Sequence, residues 1–206
     1  MKSNLLKSLF NKHIKKHLKS TDWKVKNHLL YAEITSGLLK GFYFNSSGFS
    51  ADQFEIVTFV LPMYVPKDYV ILSFGYFLPN PIGRQWWNYT EDKLEQLGED
   101  IANVVNQAEK SFLNKINNAA DFYNHYKSNK KKEIPFFEAV SYSAVYGELA
   151  ISDEELNGFI SYLKKQKEIK FDWVQEVYHN TEKLLAGNRK EILAGWEMET
   201  RKALKL

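Results

Sequence analysis

The 206-residue chain is 44% hydrophobic and 15% aromatic and contains no cysteine, which excludes disulfides, thiolate metal sites and cysteine nucleophiles. Its length and aromatic share suffice for a buried core and oppose disorder. Six of its 28 basic residues, and none of its 25 acidic ones, lie in residues 1–20, so the net charge of +3 belongs to one segment; nucleic-acid binders spread such charge over a folded face, and a nucleic-acid partner is not expected.

Residues 3–19 read as an amphipathic helix. Leu5, Leu6, Leu9, Phe10, Ile14 and Leu18 share one face at 100° per residue, and the lysines lie mostly opposite. Lysines scattered among the apolar positions leave no uninterrupted core for a secretory signal, and the segment has no arginine of the kind mitochondrial presequences favour. A cytoplasmic setting is the expectation. His13 and His17 stand one turn apart and point into the apolar arc. Two imidazoles at that spacing can share one zinc, but the sequence nominates no third ligand. They are weak metal candidates, the plainer reading being rings that pack at the helix edge and hydrogen-bond to strand groups.

From Asp22 onward the period changes to two. Short runs rich in aromatic and β-branched residues are punctuated by turns near Lys26-Asn27 and at Ser36-Gly37, and by the loop at 45–52. Strands are expected at His28 to Thr35, Leu38 to Phe44, Phe54 to Leu61 and Tyr69 to Tyr76, the last pair joined through Pro62 and a turn at 65–68. The most apolar stretch, Phe54 to Pro66, carries Glu55 and Thr58 and falls short of the ~20 residues a membrane helix needs. Short connections imply an antiparallel meander of four or five strands over about 22–78.

The loop 79–89, PNPIGRQWWNY, holds two prolines, a glycine, Arg84 and the adjacent Trp86 and Trp87. Tryptophan and arginine dominate interface hot spots, and an aromatic beside an arginine can also stack a ring or clamp an anion. Large rings also plug the ends of cores. Neighbouring side chains in a regular element do not both point inward, so at least one ring should meet solvent.

After the loop the chain reads as helical. Thr90 is the expected N-cap of a long helix whose Leu94, Leu97, Ile101, Val105, Ala108 and Phe112 keep the 3.6-residue period, and this helix should cover the sheet. A shorter helix is expected over 117–127. The lysine-rich segment 128–133 suggests a boundary between a domain at 1–132 and a helical subdomain at 133–206. There, Pro135 suits the first turn of a helix running to about Gly147. Ser152 to Glu155 forms a capping box with Ile151 and Leu156 as its staple, and Gly187 marks a helix end. About four helices in two hairpins result. VYGELAISDEEL and LLAGNRKEIL, with glycines about 40 residues apart, resemble tetratricopeptide-type helical pairs. Ordinary four-helix packing is the simpler reading, because two pairs are fewer than a solenoid needs.

Motifs for nucleotide binding, hydrolase nucleophiles and zinc peptidases are absent, and no cofactor is expected. Glu176 and His179 form a single Glu-x-x-His, whereas di-iron bundles use two. The sequence therefore predicts an α+β protein, an antiparallel sheet with an N-terminal and a long helix followed by an all-helical part. Its expected role is a protein-binding or adaptor module that uses helical hairpins and the residues Arg84, Trp86 and Trp87. The alternative is a small-molecule-binding or hydrolytic enzyme with histidine and carboxylates between sheet and helices.

Overall fold

The computed structural model describes residues 3–32, 36–50, 52–70, 72, 74–128, 153–166 and 172–206. Two units emerge from its internal contacts: Met1–Leu61 with Val70–Lys115, and Pro62–Tyr69 with Ile116–Leu206.

The first unit opens with the amphipathic segment, which is helical but not uniformly α. Helix α1 (Ser3–Leu9) widens into a π turn (Phe10–Ile14) and then tightens into a 3₁₀ turn (Lys15–His17). Leu6, Leu9, Phe10 and Ile14 are buried, so the apolar arc is spent on the protein's own core. Strands β1 (Lys24–Lys26), β2 (Leu29–Tyr31), β3 (Leu38–Ser46), β4 (Gln53–Pro62) and β5 (Phe77–Leu78) follow in that spatial order, and α1 packs on β1. A sixth strand, β6 (Trp87–Asn88), pairs with β4 as well, at Gln53 and Phe54, beyond the part of β4 that β5 occupies. The sheet is antiparallel throughout its described pairings. Its first two turns need left-handed backbone: Asn27, Ser36 and Gly37 have φ of 53°, 50° and 68°, values that asparagine and glycine tolerate best.

The expected strand at Tyr69 to Tyr76 is a correction. No described residue of that stretch is in a strand; Gly75 N–H closes a turn on the Leu72 carbonyl, and pairing is carried by Phe77 and Leu78. The reason is close approach. A Cβ on Gly75 would lie 1.6 Å from the Thr58 carbonyl oxygen, so the chain reaches β4 here by a turn that only glycine fits. Thr58, wholly buried, satisfies the junction: its hydroxyl accepts the Tyr76 N–H at 2.9 Å.

One face of the sheet carries an aromatic row. Trp23 meets Phe42 at 5.3 Å, and Phe44, Phe54 and Trp87 stack across β3, β4 and β6 at 6.0 and 6.3 Å. The whole of β4 from Phe54 is buried on both faces, which explains its near-continuous apolar run. Helix α2 (Leu94–Ser111) follows a 3₁₀ turn at Glu91–Lys93; Thr90 precedes it in extended conformation, but its side chain makes no capping bond. The buried stripe of α2, from Leu97 to Ala108, packs chiefly on the π and 3₁₀ turns of the N-terminal segment.

The second unit contains the segment 62–69 and helices α3 (Ala119–Ser128), α4 (Asp153–Gln166), α5 (Asp172–Ala186) and α6 (Arg189–Leu204). Asn118 caps α3 by accepting the Asp121 N–H at 2.9 Å, and the Asp121 carboxylate reaches back to accept the Asn117 N–H at 2.9 Å. Phe159, Ile160 and Leu163 of α4 and Tyr178 of α5 form one buried cluster. Gly187 ends α5 as expected, its N–H bonding the Lys183 carbonyl, and α6 closes with Lys205 in the left-handed region. Segment 62–69 is held by Thr200, whose buried hydroxyl donates to the Val65 carbonyl at 3.1 Å, and by Lys67, whose ammonium meets Glu176 at 2.7 Å. The expected boundary at 132–133, the helix from Pro135 to Gly147, and Ser152 with Ile151 lie outside the described residues.

Candidate functional site

Turn chemistry builds the loop between β5 and β6. Asn80 alone makes five of its bonds. Its backbone N–H donates to the Arg84 carbonyl at 2.8 Å, and its carbonyl accepts the Gly83 N–H at 2.8 Å. Its side-chain oxygen accepts the N–H groups of Ile82 and Arg84, and its amide donates to the Trp86 carbonyl at 2.8 Å. Gly83 takes a φ of 79°, which completes the turn. The loop is thereby fixed without burying its tip.

Strand alternation then separates the two tryptophans. Trp87 faces inward, 2% exposed, stacked on Phe54, with its indole N–H donating to the Leu78 carbonyl at 3.0 Å. Trp86 faces outward and is 38% exposed, and Ile82 and Arg84 are exposed beside it in sequence. The Arg84 side chain has no hydrogen bond or ion pair among the described residues, so its donors are available. Sequence reasoning grouped Arg84, Trp86 and Trp87; the fold presents the first two outward and puts the third in the core.

Behind the loop lies a residue that sequence reasoning passed over as an interruption in an apolar strand. Glu55 of β4 is 7% exposed. Its carboxylate accepts the Asn45 amide at 2.7 Å and the Gln85 amide at 2.6 Å, one on each oxygen. Gln53 and Asn88 extend this amide-rich row with a side-chain bond at 3.2 Å. A lone carboxylate within FEIVTFV was the available signal, because a buried charge requires partners. Gln85 thus ties the root of the loop to the sheet.

His13 and His17 also converge, on a helix rather than a strand. His13 Nδ1 lies 2.9 Å from one oxygen of Glu95, and His17 Nε2 lies 3.5 Å from the other, which Lys16 also contacts. Lys16 above all, then His13, with a smaller part from His17, hold the Glu95 carboxyl down at about 2. Gly98 makes the approach possible: a Cβ there would lie 2.5 Å from that of His13. Asn106 completes the clasp by accepting the Lys19 N–H and donating to the His17 carbonyl. Among the described residues no three or more histidines and carboxylates are grouped to hold a metal ion. Glu176 is engaged by Lys67, and His179 pairs with Glu182 at 3.6 Å on the same helix.

No helix among the described residues is long and apolar enough to cross a membrane. No protein-family model, curated protein or solved structure matches the chain.

Proposed function

We propose that this chain is a protein-binding module that engages its partner through the loop 79–86. The observation that carries the reading is the outward set of Ile82, Arg84 and Trp86 on a turn locked by Asn80. A loop already held in one conformation loses little entropy on binding. Tryptophan supplies apolar contact area, and an uncommitted guanidinium supplies directed donors for a carboxylate. A cytoplasmic setting belongs to the same proposal and is supported by the cysteine-free composition. The enzymatic alternative would draw on His13, His17 and Glu95. Glu95 is exposed and shared with Lys16, which favours a role in joining the N-terminal segment to α2.

Capture from lysate with the wild type, Arg84→Ala and Trp86→Ala tests the reading. Both variants should keep the wild-type circular dichroism spectrum and unfolding midpoint, because surface changes cost little. Each should lose most of the captured partner. Undiminished capture by both would remove the loop as the binding surface. Trp87→Ala is unsuitable for this test, since emptying its buried site costs about 3–5 kcal/mol of stability.

A further inference from the structure

The sheet ends in β1 on one side and in β5 and β6, both paired with β4, on the other, and the chain treats these edges differently. A strand edge presents unpaired N–H and C=O groups, which natural proteins shield with charge, proline or a covering element. β1 reads Lys-Val-Lys and has α1 packed on it. Around β6, the run Gln85 to Thr90 holds no charged residue, no proline and no glycine, and Gln85, Trp86, Asn88 and Thr90 are exposed. Register fixes where the backbone of this edge points. Asn88 lies opposite Gln53, whose carbonyl accepts the Ser47 N–H at 2.9 Å on the side of β3. Tyr89, the next residue, donates its N–H to the Asp52 carbonyl at 2.6 Å. Antiparallel ladders alternate hydrogen-bonded and non-hydrogen-bonded pairs, so Asn88 turns both its N–H and its carbonyl away from β4. Among the described residues no backbone bond engages either group. Trp86, which faces opposite to Trp87, stands on the same face as the Asn88 side chain. The edge is held in place by Asn80, which bonds the Trp86 carbonyl, and by Gln85, which bonds Glu55.

We infer that an extended segment of a protein partner adds to β6 as a further antiparallel strand. The inference rests on the binding reading above and names how the partner is held. Main-chain bonds at Asn88 supply affinity, and the side chains that meet Trp86 and Arg84 select the sequence. A β-branched or aromatic residue fits opposite Trp86, and an acidic residue fits the uncommitted guanidinium of Arg84. A second copy of this chain is the poorer occupant, because two such short edges paired with each other bury far less than the roughly 1,200 Å² of a stable interface.

The probe is acetyl-Thr-Thr-Val-Thr-Val-Thr-Glu-amide, whose third residue falls opposite Asn88, its fifth opposite Trp86 and its glutamate toward Arg84. Titrated into ¹⁵N-labelled full-length protein, it should shift the Asn88 backbone amide saturably and slow its exchange with solvent. N-methylating the third residue of the peptide removes a donor aimed at the Asn88 carbonyl and should weaken binding about tenfold. N-methylating the fourth, whose N–H faces away, should leave affinity unchanged. No shift at Asn88, or equal effects of the two methylations, would overturn strand addition. On the protein side, Asn88→Pro deletes an N–H the sheet does not use, so the fold should persist; it should abolish peptide binding, whereas Asn88→Ala should bind as the wild type does. If Asn88→Pro lowers the unfolding midpoint, the methylated peptides decide alone. In the lysate capture above, Asn88→Pro should lose the same partner as Trp86→Ala. A partner kept by Asn88→Pro but lost by Arg84→Ala and Trp86→Ala would preserve the loop as the binding surface and overturn pairing along β6. A dimer of the wild type in sedimentation velocity that Asn88→Pro dissociates would give the edge to a second copy and overturn the peptide as its occupant.

Discussion

Glu95 shows how much of a residue's role depends on its company. In sequence it is one acid in the first turn of a long helix, well placed for the helix dipole. In the fold it is the shared acceptor of Lys16, His13 and His17. Its carboxyl is lowered from 4.5 to about 2, so the folded state favours the ionised form more than the unfolded chain does. Stability from this group is complete above about 4.5 and is lost as pH falls through that value toward about 2. Unfolding midpoints measured across this window should therefore decline for the wild type and decline less for Glu95→Gln; identical slopes would deny the cluster any part in acid sensitivity. The side chains facing Glu95 were half-legible beforehand. His13 and His17 were legible as a pair on one face, because helical spacing is local. Their acceptor was not, because it lies 82 and 78 residues away in sequence.

At the scale of elements, hydrophobic period was the reliable signal and close approach was the hidden one. Periods of two and 3.6 placed β3, β4, α2 and the C-terminal helices, because each buries one face or both. Short turns with asparagine or glycine placed β1 and β2. The segment 69–76 misled: its residues have strand character, but Gly75 must pass against the Thr58 carbonyl and turns instead. Gly98 is the helical counterpart. Propensity alone says that Gly98→Ala should stabilise α2 by about 1 kcal/mol. The tertiary contact says otherwise, since the new methyl would lie 2.5 Å from His13 Cβ and 2.6 Å from its carbonyl oxygen, and forcing the elements apart costs about 1–3 kcal/mol. Chemical denaturation should therefore show a net loss for Gly98→Ala. A net gain would mean that the N-terminal segment yields freely.

For the whole molecule, the informative feature is that chain order and unit membership differ. The polypeptide leaves the first unit at Pro62, contributes 62–69 to the helical unit, and returns at Val70. Thr200 is the fixed point of that excursion: it donates to the Val65 carbonyl and accepts the Lys67 N–H at 3.4 Å. Thr200→Val keeps the volume and removes both bonds, leaving buried backbone groups unpaired at a cost of about 1–3 kcal/mol. Hydrogen exchange should speed up in 62–69 and α6 together; unchanged protection would mean that the Lys67–Glu176 pair holds the segment alone. By itself the sequence determined the α+β class, the antiparallel meander, the helical back third and the turn residues, because these follow from periods and backbone preferences acting over a few residues. It also determined that one of two adjacent tryptophans must face outward. Only the tertiary structure decided which one, through pairing of Trp87 with Phe54. The partners of Glu55 and Glu95, and the assignment of 62–69 to the second unit, were likewise settled by contacts between residues far apart in the chain, which no local pattern encodes.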